Sequence, residues 1–382
     1  MKKYLSLLLI AAMLLLAVAG CASDGKTEPS DPAPSDSSAS DANAAPDTPD
    51  ADPDPEPETP ETPTEPEVET PTEDPYEPVD MNIAVLKGPT GMGMAKLMAD
   101  SKNDLNGEVA NNYNFTVDSD TSAVLTKLIA GDYDIAALPT NTAAVAYNKT
   151  EGGIQMLALN TLGTLYLLQN GLLESPVPET IADLRGATIT TFGQGANPEY
   201  ILTYVLEAAG LTVGEDVQIE FCSAVDEVLA KVAAGECDYA MLPEPNATVA
   251  QTKNPEYSVV MDLNKAWEEA SGGQTQLVMG CLAVRAEFAA AHPENVARFL
   301  EEYSASVDYI LTADDAAEII AAEEIVPSAA IAAKALPNAN LCCITGADMQ
   351  PTVEGYFNVL FDFNPQAVGG SVPDAALYYL GE

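Results

Sequence analysis

The sequence predicts an α/β protein of two similar lobes, each a mainly parallel sheet flanked by helices. Two observations carry this prediction. The decapeptide AGDYDIAALP at Ala130–Pro139 returns 104 positions later as AGECDYAMLP at Ala234–Pro243. Around each copy, apolar runs of strand length alternate with stretches of helical spacing, the pattern of a parallel sheet covered on both faces. The offset extends well past the decapeptides. Between 125–146 and 229–250, 11 of 22 positions are identical, and at the same offset Ser119 falls on Ser223 and Gly91 on Gly195. A constant register over that length marks one supersecondary unit used twice.

The elements follow in chain order. Lys2 and Lys3 precede an apolar run of 14 residues, Leu5–Val18. A membrane-spanning helix needs about 20 such residues, so the run reads as a secretory leader. It ends in Val18-Ala19-Gly20-Cys21, which resembles the bacterial lipobox, and that resemblance implies lipid on Cys21. Residues 22–80 hold 14 of the 28 prolines and 19 acidic residues, against the single lysine Lys26 and the single aromatic Tyr76. Such a segment has too little to bury to offset its ordering entropy, and proline and like charge extend it. We expect a disordered acidic tether. The folded part is then 81–382, long enough for two domains or one bilobed body. It carries 12 Lys/Arg against 40 Asp/Glu. Nucleic acid is excluded as a partner, because phosphate contacts need a basic face.

Within the folded part, Ile83–Leu86 reads as a strand, KGPTGMG as a glycine-rich turn, and Met94–Ser101 as a helix. Phe115–Val117 is a second strand. Asp118–Thr121 supplies N-cap residues for a helix through Ile129, and Gly131 stops it. Asp134–Leu138 is a third strand, ended by Pro139, after which Thr140 and Asn141 cap another helix. The second copy repeats the plan: Ala187–Thr191, the turn FGQG, a helix from about Glu199 to Ala209, Val217–Phe221, a helix to Ala234, and Asp238–Pro243. Besides Cys21, the cysteines are Cys222, Cys237, Cys281, Cys342 and Cys343. An odd number without framework spacing reads as mostly buried free thiols rather than a disulfide scaffold.

Ligands of open α/β sheets bind outside the C-terminal strand edges, and that locates the candidate residues. The first loop is Lys87, Gly88, Pro89, Thr90, Gly91 and Met92, where glycines let backbone N–H groups face a ligand; the alternative is a tight turn alone. Lys87 either pairs with an anionic group or stays exposed. In the second copy the matching loop is Phe192, Gly193, Gln194 and Gly195, with Phe192 either against the ligand or packed in the sheet edge. Ser119, Thr121, Ser122 and Ser223 stand at helix starts, as caps or as caps that also face the cleft. Pro139, Thr140 and Asn141 answer to Pro243, Glu244, Pro245 and Asn246. Asn160, Thr161 and Gly163 would line the floor. Glu244 stands where the first copy has Thr140: it favours an amine or amidine ligand, or is a solvated loop acid. Trp267, the only tryptophan, covers the ligand or packs a helix. Hydroxyls, amides and helix ends with few charges suit a small polar ligand bearing at most one charged group.

Enzyme readings find little support. The single histidine, His292, stands at an expected helix start, so paired-histidine metal sites and a second His for a nucleophile pair are missing. There is no P-loop and no dinucleotide fingerprint. We expect no cofactor and no metal.

Several stretches resemble solute-binding lipoproteins of ABC importers: AGDYDIAALPTNTAA, DLRGATITTFGQGANPEYIL and AHPENVARFLEEYSASVDYIL. The nearest branch is that of the sulfonate, taurine, nitrate and thiamine-pyrimidine binders. The resemblance implies a type II periplasmic-binding-protein fold. Lobe one would be 81–165 with 280–382 and lobe two 166–279, joined by a hinge of two crossings near Tyr166–Gln169 and Gln276–Met279. It further implies a monomer on the outer face of the cell membrane that captures a solute for an ABC permease and its ATPase. The rival readings are an enzyme of the same superfold, of pyrimidine or menaquinone-pathway type, and a surface sensor or adhesion protein.

Overall fold

The computed structural model describes residues 76–104 and 107–381. The expected leader, its Cys21 and the tether as far as residue 75 lie outside the described residues. The tether expected to reach Asp80 gives way sooner. Tyr76 donates to Asn111 Oδ1 (2.7 Å), accepts from Asn295 Nδ2 (3.0 Å) and lies 4.2 Å from the Arg298 guanidinium across its ring face. A tyrosine suits this docking because its ring attracts a cation while its hydroxyl bonds.

Strand β1 (Asp80–Leu86) feeds two cores, with Ala84 and Leu86 on one face and Ile83 and Val85 on the other. Alternation with both faces apolar is the mark of a covered strand. A one-turn helix α1 (Pro89–Met92) and α2 (Ala95–Asn103) lead to β2 (Asn112–Asp118). Helix α3 (Thr121–Ala130) begins where the Asp120 side chain accepts from the N–H groups of Ser122 and Ala123. Strand β3 (Ile135–Pro139), α4 (Thr140–Lys149) and β4 (Ile154–Leu162) complete the first run. Strand β5 (Leu165–Asn170) opens the second, followed by β6 (Thr188–Phe192), α5 (Asn197–Ala208), β7 (Gln218–Cys222) and α6 (Val225–Ala234). Then come β8 (Tyr239–Pro243), α7 (Asn246–Lys253), β9 (Tyr257–Asp262) and α8 (Leu263–Ala270). The chain returns through β10 (Val278–Arg285), α9 (Ala286–Ala291), α10 (Pro293–Thr312), α11 (Ala316–Ala322), α12 (Ala329–Ala335), β11 (Leu341–Thr345) and α13 (Met349–Phe363).

The repeated Ala-Gly is a helix end in both copies. Gly131 and Gly235 take φ of 86° and 74°, and each turns its N–H back to carbonyls of the last helical turn. Glycine fits there because a Cβ would disfavour that left-handed conformation. Three residues on, Asp134 and Asp238 lead into β3 and β8. Ile135 pairs with Ile83, and its counterpart Tyr239 pairs with Ile189.

Two sheets result, ordered β11-β4-β10-β3-β1-β2 and β7-β6-β8-β5-β9. In both, the three strands of a repeat pair in parallel, β2-β1-β3 and β7-β6-β8. A crossing strand then adds antiparallel beside the third, β10 on β3 and β5 on β8. Because β10 is antiparallel to both β3 and β4, β4 runs with the repeat strands again. The first crossing falls at Gly163-Thr164, ahead of the expected Tyr166–Gln169, since those residues are already paired with Leu242–Tyr239 inside the second sheet. The outer faces of the sheets pack separately, around Phe299 and Tyr303 in one case and Val228 and Leu242 in the other. The inner faces share one core. Leu138 and Leu159 of the first sheet, Leu167 and Met241 of the second, Trp267 of α8 and Tyr356 of α13 belong to a single buried cluster. Cys222, Cys237, Cys281, Cys342 and Cys343 are free thiols. Among the described residues, no helix is long and apolar enough to cross a membrane.

Candidate functional site

The β1–α1 loop is spent on its own structure. Lys87 N–H bonds the Asp118 carbonyl (2.9 Å) and Gly88 N–H the Ile325 carbonyl (3.1 Å). The N–H groups of Gly91 and Met92 turn back to Gly88 (3.0 and 3.2 Å). Pro89 has none to offer, so the open backbone expected for this loop is largely consumed. Met92 is buried in the core, and the Lys87 side chain stands at the surface. Gly91 is there for packing: a Cβ would sit 2.2 Å from the Leu86 carbonyl oxygen and 2.8 Å from Val85 Cγ1. Gly91→Ala should therefore cost about 1–3 kcal/mol in urea unfolding, as overpacking does; a loss below about 0.5 kcal/mol would show that the loop can shift freely.

Other helix starts are closed from within. Ser119, Ser122, Ser223 and Gln194 are exposed. Ser223 donates to Glu227 Oε2 (2.8 Å), which also accepts the Ser223 N–H (2.9 Å). Thr121 follows the Asp120 cap. In the FGQG turn, Gly193 and Gly195 take positive φ, the Gly195 N–H bonds Glu199, and Phe192 packs against the outer core of the second sheet. Asn246 opens α7 half-buried.

Glu244 corrects one of the two expectations made for it. It is 2 % exposed, so it is not a solvated acid. Its two oxygens accept from Thr248 N and Thr248 Oγ1, each at 3.1 Å, closing the first turn of the helix that follows it, α7. Burial pushes its carboxyl above the ordinary glutamate range, against the pull of the Thr248 hydrogen bonds. Trp267 is buried with its ring 4.5 Å from Tyr204 and 5.6 Å from Tyr356, and its Nε1 donates to Thr275 Oγ1 (2.8 Å). It packs a helix; its one polar atom is already used.

What the fold does bring together are several small groups of polar residues. Asn160 donates to the Thr90 carbonyl (3.1 Å) and accepts from Thr161 Oγ1 (3.0 Å), both side chains being buried. Gly280 of β10 lies against them, since a Cβ there would come within 2.4 Å of Asn160 Oδ1. Gly163 is equally pressed by Asn264, whose Oδ1 has no partner among the described residues. Asn197 Nδ2 donates to Asn141 Oδ1 (2.8 Å), joining the start of α5 to that of α4. Asn364 Nδ2 reaches Tyr200 Oη (2.8 Å), on the same helix α5 as Asn197.

Thr140 and Asn141 were expected to cap α4. Instead the helix begins at Thr140 itself with Pro139 in the cap position, so neither side chain caps it. Helix α5 begins likewise after Ala196, with no side-chain cap. The Thr140 hydroxyl and Asn197 Oδ1 are buried and have no hydrogen-bond partner among the described residues. Buried polar atoms are normally bonded, and the exceptions ask for a reason. Two helix starts beside different sheets, both uncapped and joined through Asn141 and Asn197, present positive potential near each other. Such a pair, with a free hydroxyl and carboxamide, can hold a small anion or polar group without any charged side chain.

Sequence reasoning missed Asn197, Asn264 and Gly280. A signal for Asn197 existed in Asn-Pro directly after a glycine-rich turn, a helix start; Asn264 and Gly280 carried none. A cavity of about 470 Å³ lies elsewhere, at the N-terminal ends of β6 and β8, lined by Leu173, Val177, Asp183, Arg185 and Tyr239. Of its charged groups, Arg185 pairs with Asp216 and Asp183 with Thr180, and ligands of open α/β sheets bind at the opposite, C-terminal strand ends, which is why the loops there are the better candidate.

A family model described as ABC transporter, phosphonate, periplasmic substrate-binding protein matches residues 90–324. Among curated proteins none matches the chain. Similar solved structures include an ABC transporter protein from Parabacteroides distasonis, 20% identical with a TM-score of 0.66 over 78% of this chain and 98% of that one. The periplasmic aliphatic sulphonate binding protein SsuA from Escherichia coli is 17% identical, TM-score 0.61, over 79% and 92%. The alkanesulfonate-binding protein SsuA from Xanthomonas axonopodis pv. citri, bound to MOPS, is 18% identical, TM-score 0.56, over 79% and 97%. At these identities the likeness is one of fold.

Proposed function

This chain belongs to the family of phosphonate periplasmic substrate-binding proteins of ABC transporters, and on that premise we propose that it captures a small polar solute with a phosphonate-type head where α4 and α5 begin. The fold is of the type II periplasmic-binding-protein kind, with two sheets flanked by helices. One observation carries the reading: two uncapped helix starts from opposite sheets meet beside the unpartnered Thr140 hydroxyl and Asn197 carboxamide oxygen. The hydroxyl and the helix N–H groups donate to the anionic oxygens, and such charge-assisted bonds are the strong ones. No lysine or arginine belongs to this set, so backbone and neutral side chains do the recognition.

The lobes, divided at Gly163-Thr164 and just ahead of β10, would close on the solute about the two crossings. The closed protein would then offer it to a permease served by an ATPase. Cys21 would carry the lipid that holds this monomer at the outer membrane face, with the acidic tether as spacer. His292 supports no rival chemistry from its place between α9 and α10, with its ring 4.9 Å from Phe288.

Thermal unfolding of the purified protein with ethylphosphonate, ethanesulfonate, nitrate and glycine tests the reading. Saturating ethylphosphonate should raise the midpoint by several degrees, as any ligand specific to the folded state does. A midpoint that no phosphonate or sulfonate moves would end it.

A further inference from the structure

Asn141 and Asn197 form a relay whose direction is set from one end. The Ala367 carbonyl can only accept, so Asn141 turns its Nδ2 to it (3.2 Å) and leaves Oδ1 facing Asn197. That oxygen takes the Asn197 Nδ2 (2.8 Å). Asn197 Oδ1 is what remains: an acceptor without a partner among the described residues, on a side chain 8 % exposed. A buried acceptor left without a donor is costly, whereas one that meets a donor on binding gains the bond.

We infer that Asn197 is a specificity-determining residue, whose Oδ1 accepts the P–OH proton of a singly ionised phosphonate and thereby discriminates against sulfonates. The inference rests on the reading above, that the anionic head lies where α4 and α5 begin. A singly ionised phosphonate and a sulfonate are both tetrahedral monoanions attached to carbon. The phosphonate keeps one O–H, while the sulfonate, from a much stronger acid, has none. Helix N–H groups and the Thr140 hydroxyl are donors and treat the two heads alike. An acceptor separates them, because it gains a hydrogen bond from P–OH and meets only lone pairs on the sulfonate. Sites built to bond a substrate hydroxyl reject analogues lacking it far more strongly than apolar pockets reject a missing methylene.

Calorimetric titration at slightly acid pH decides the matter, with ethylphosphonate, ethanesulfonate and the monomethyl ester of ethylphosphonate as probes. The ester keeps the charge and loses the P–OH. The wild-type protein should bind ethylphosphonate at least about tenfold more tightly than either analogue, and in the near-isosteric Asn197→Leu that ratio should fall to about threefold or less. The wild-type comparison stands even if the variant does not fold. Equal affinity of wild type for ethylphosphonate and ethanesulfonate overturns the inference and spares the proposed function. An undiminished ratio in a folded Asn197→Leu does the same. If wild type binds none of the three, the proposed function fails and this inference with it.

Discussion

Thr140→Val should make the protein more stable and a poorer receptor. The Thr140 side chain is fully buried, and its hydroxyl has no partner among the described residues. An unpaired buried hydroxyl costs about 1–3 kcal/mol, and valine keeps the shape while removing the polar atom. Urea unfolding should move to higher denaturant by an amount in that range. Binding should move the other way. A hydrogen bond to a charged group is worth about 1.5–3 kcal/mol, so the Kd for ethylphosphonate should rise roughly ten- to hundredfold. The opposite signs are the point of the experiment. A stability that does not rise would mean that the hydroxyl is already satisfied within the fold. An unchanged Kd would place it out of reach of the solute.

Trp267→Ala should cost about 3–5 kcal/mol, the range for removing a large buried aromatic. The loss includes packing on Tyr204 and Tyr356 and strands the Thr275 hydroxyl that Nε1 now reaches. The experiment also reports on architecture. Trp267 belongs to the stretch between the two crossings, and Tyr356 to the helix that follows β11. Their shared core ties the two sheets together. Unfolding should therefore stay a single transition, shifted to lower denaturant. Because Trp267 is the only tryptophan, far-ultraviolet circular dichroism must follow the variant. A cost under about 1 kcal/mol would show that the core closes over the gap, contrary to the behaviour of well-packed interiors.

The signals that made the architecture legible are local ones. The apolar run Ile83–Leu86, the Asp120 cap and the Gly131 and Gly235 helix ends each act within a few residues of themselves, so a single sequence displays them. The repeat then predicts two sheets from one, and the two sheets found share the order of their repeat strands. The mixed seam was less legible, because it depends on which strand the returning chain inserts beside β3, a choice made by long-range pairing.

The candidate site was legible only as a set of loops. KGPTGMG reads as open backbone, yet Asp118 and Ile325 supply the carbonyls that close its first two N–H groups. Thr140 and Glu244 hold equivalent places in the repeat. One keeps a free hydroxyl, while the other folds its carboxylate onto Thr248. Asn197 could be placed at a helix start from its neighbours, but the direction of its carboxamide is set through Asn141 by a carbonyl 226 positions from Asn141 in the chain. Taken alone, the sequence determined the repeated unit and the order of strands and helices within each copy, because periodicity and capping are short-range effects. Only the tertiary structure decided which polar atoms at that edge stay unpaired, because hydrogen bonds are consumed by whichever partner the fold brings within about 3 Å, however distant in sequence.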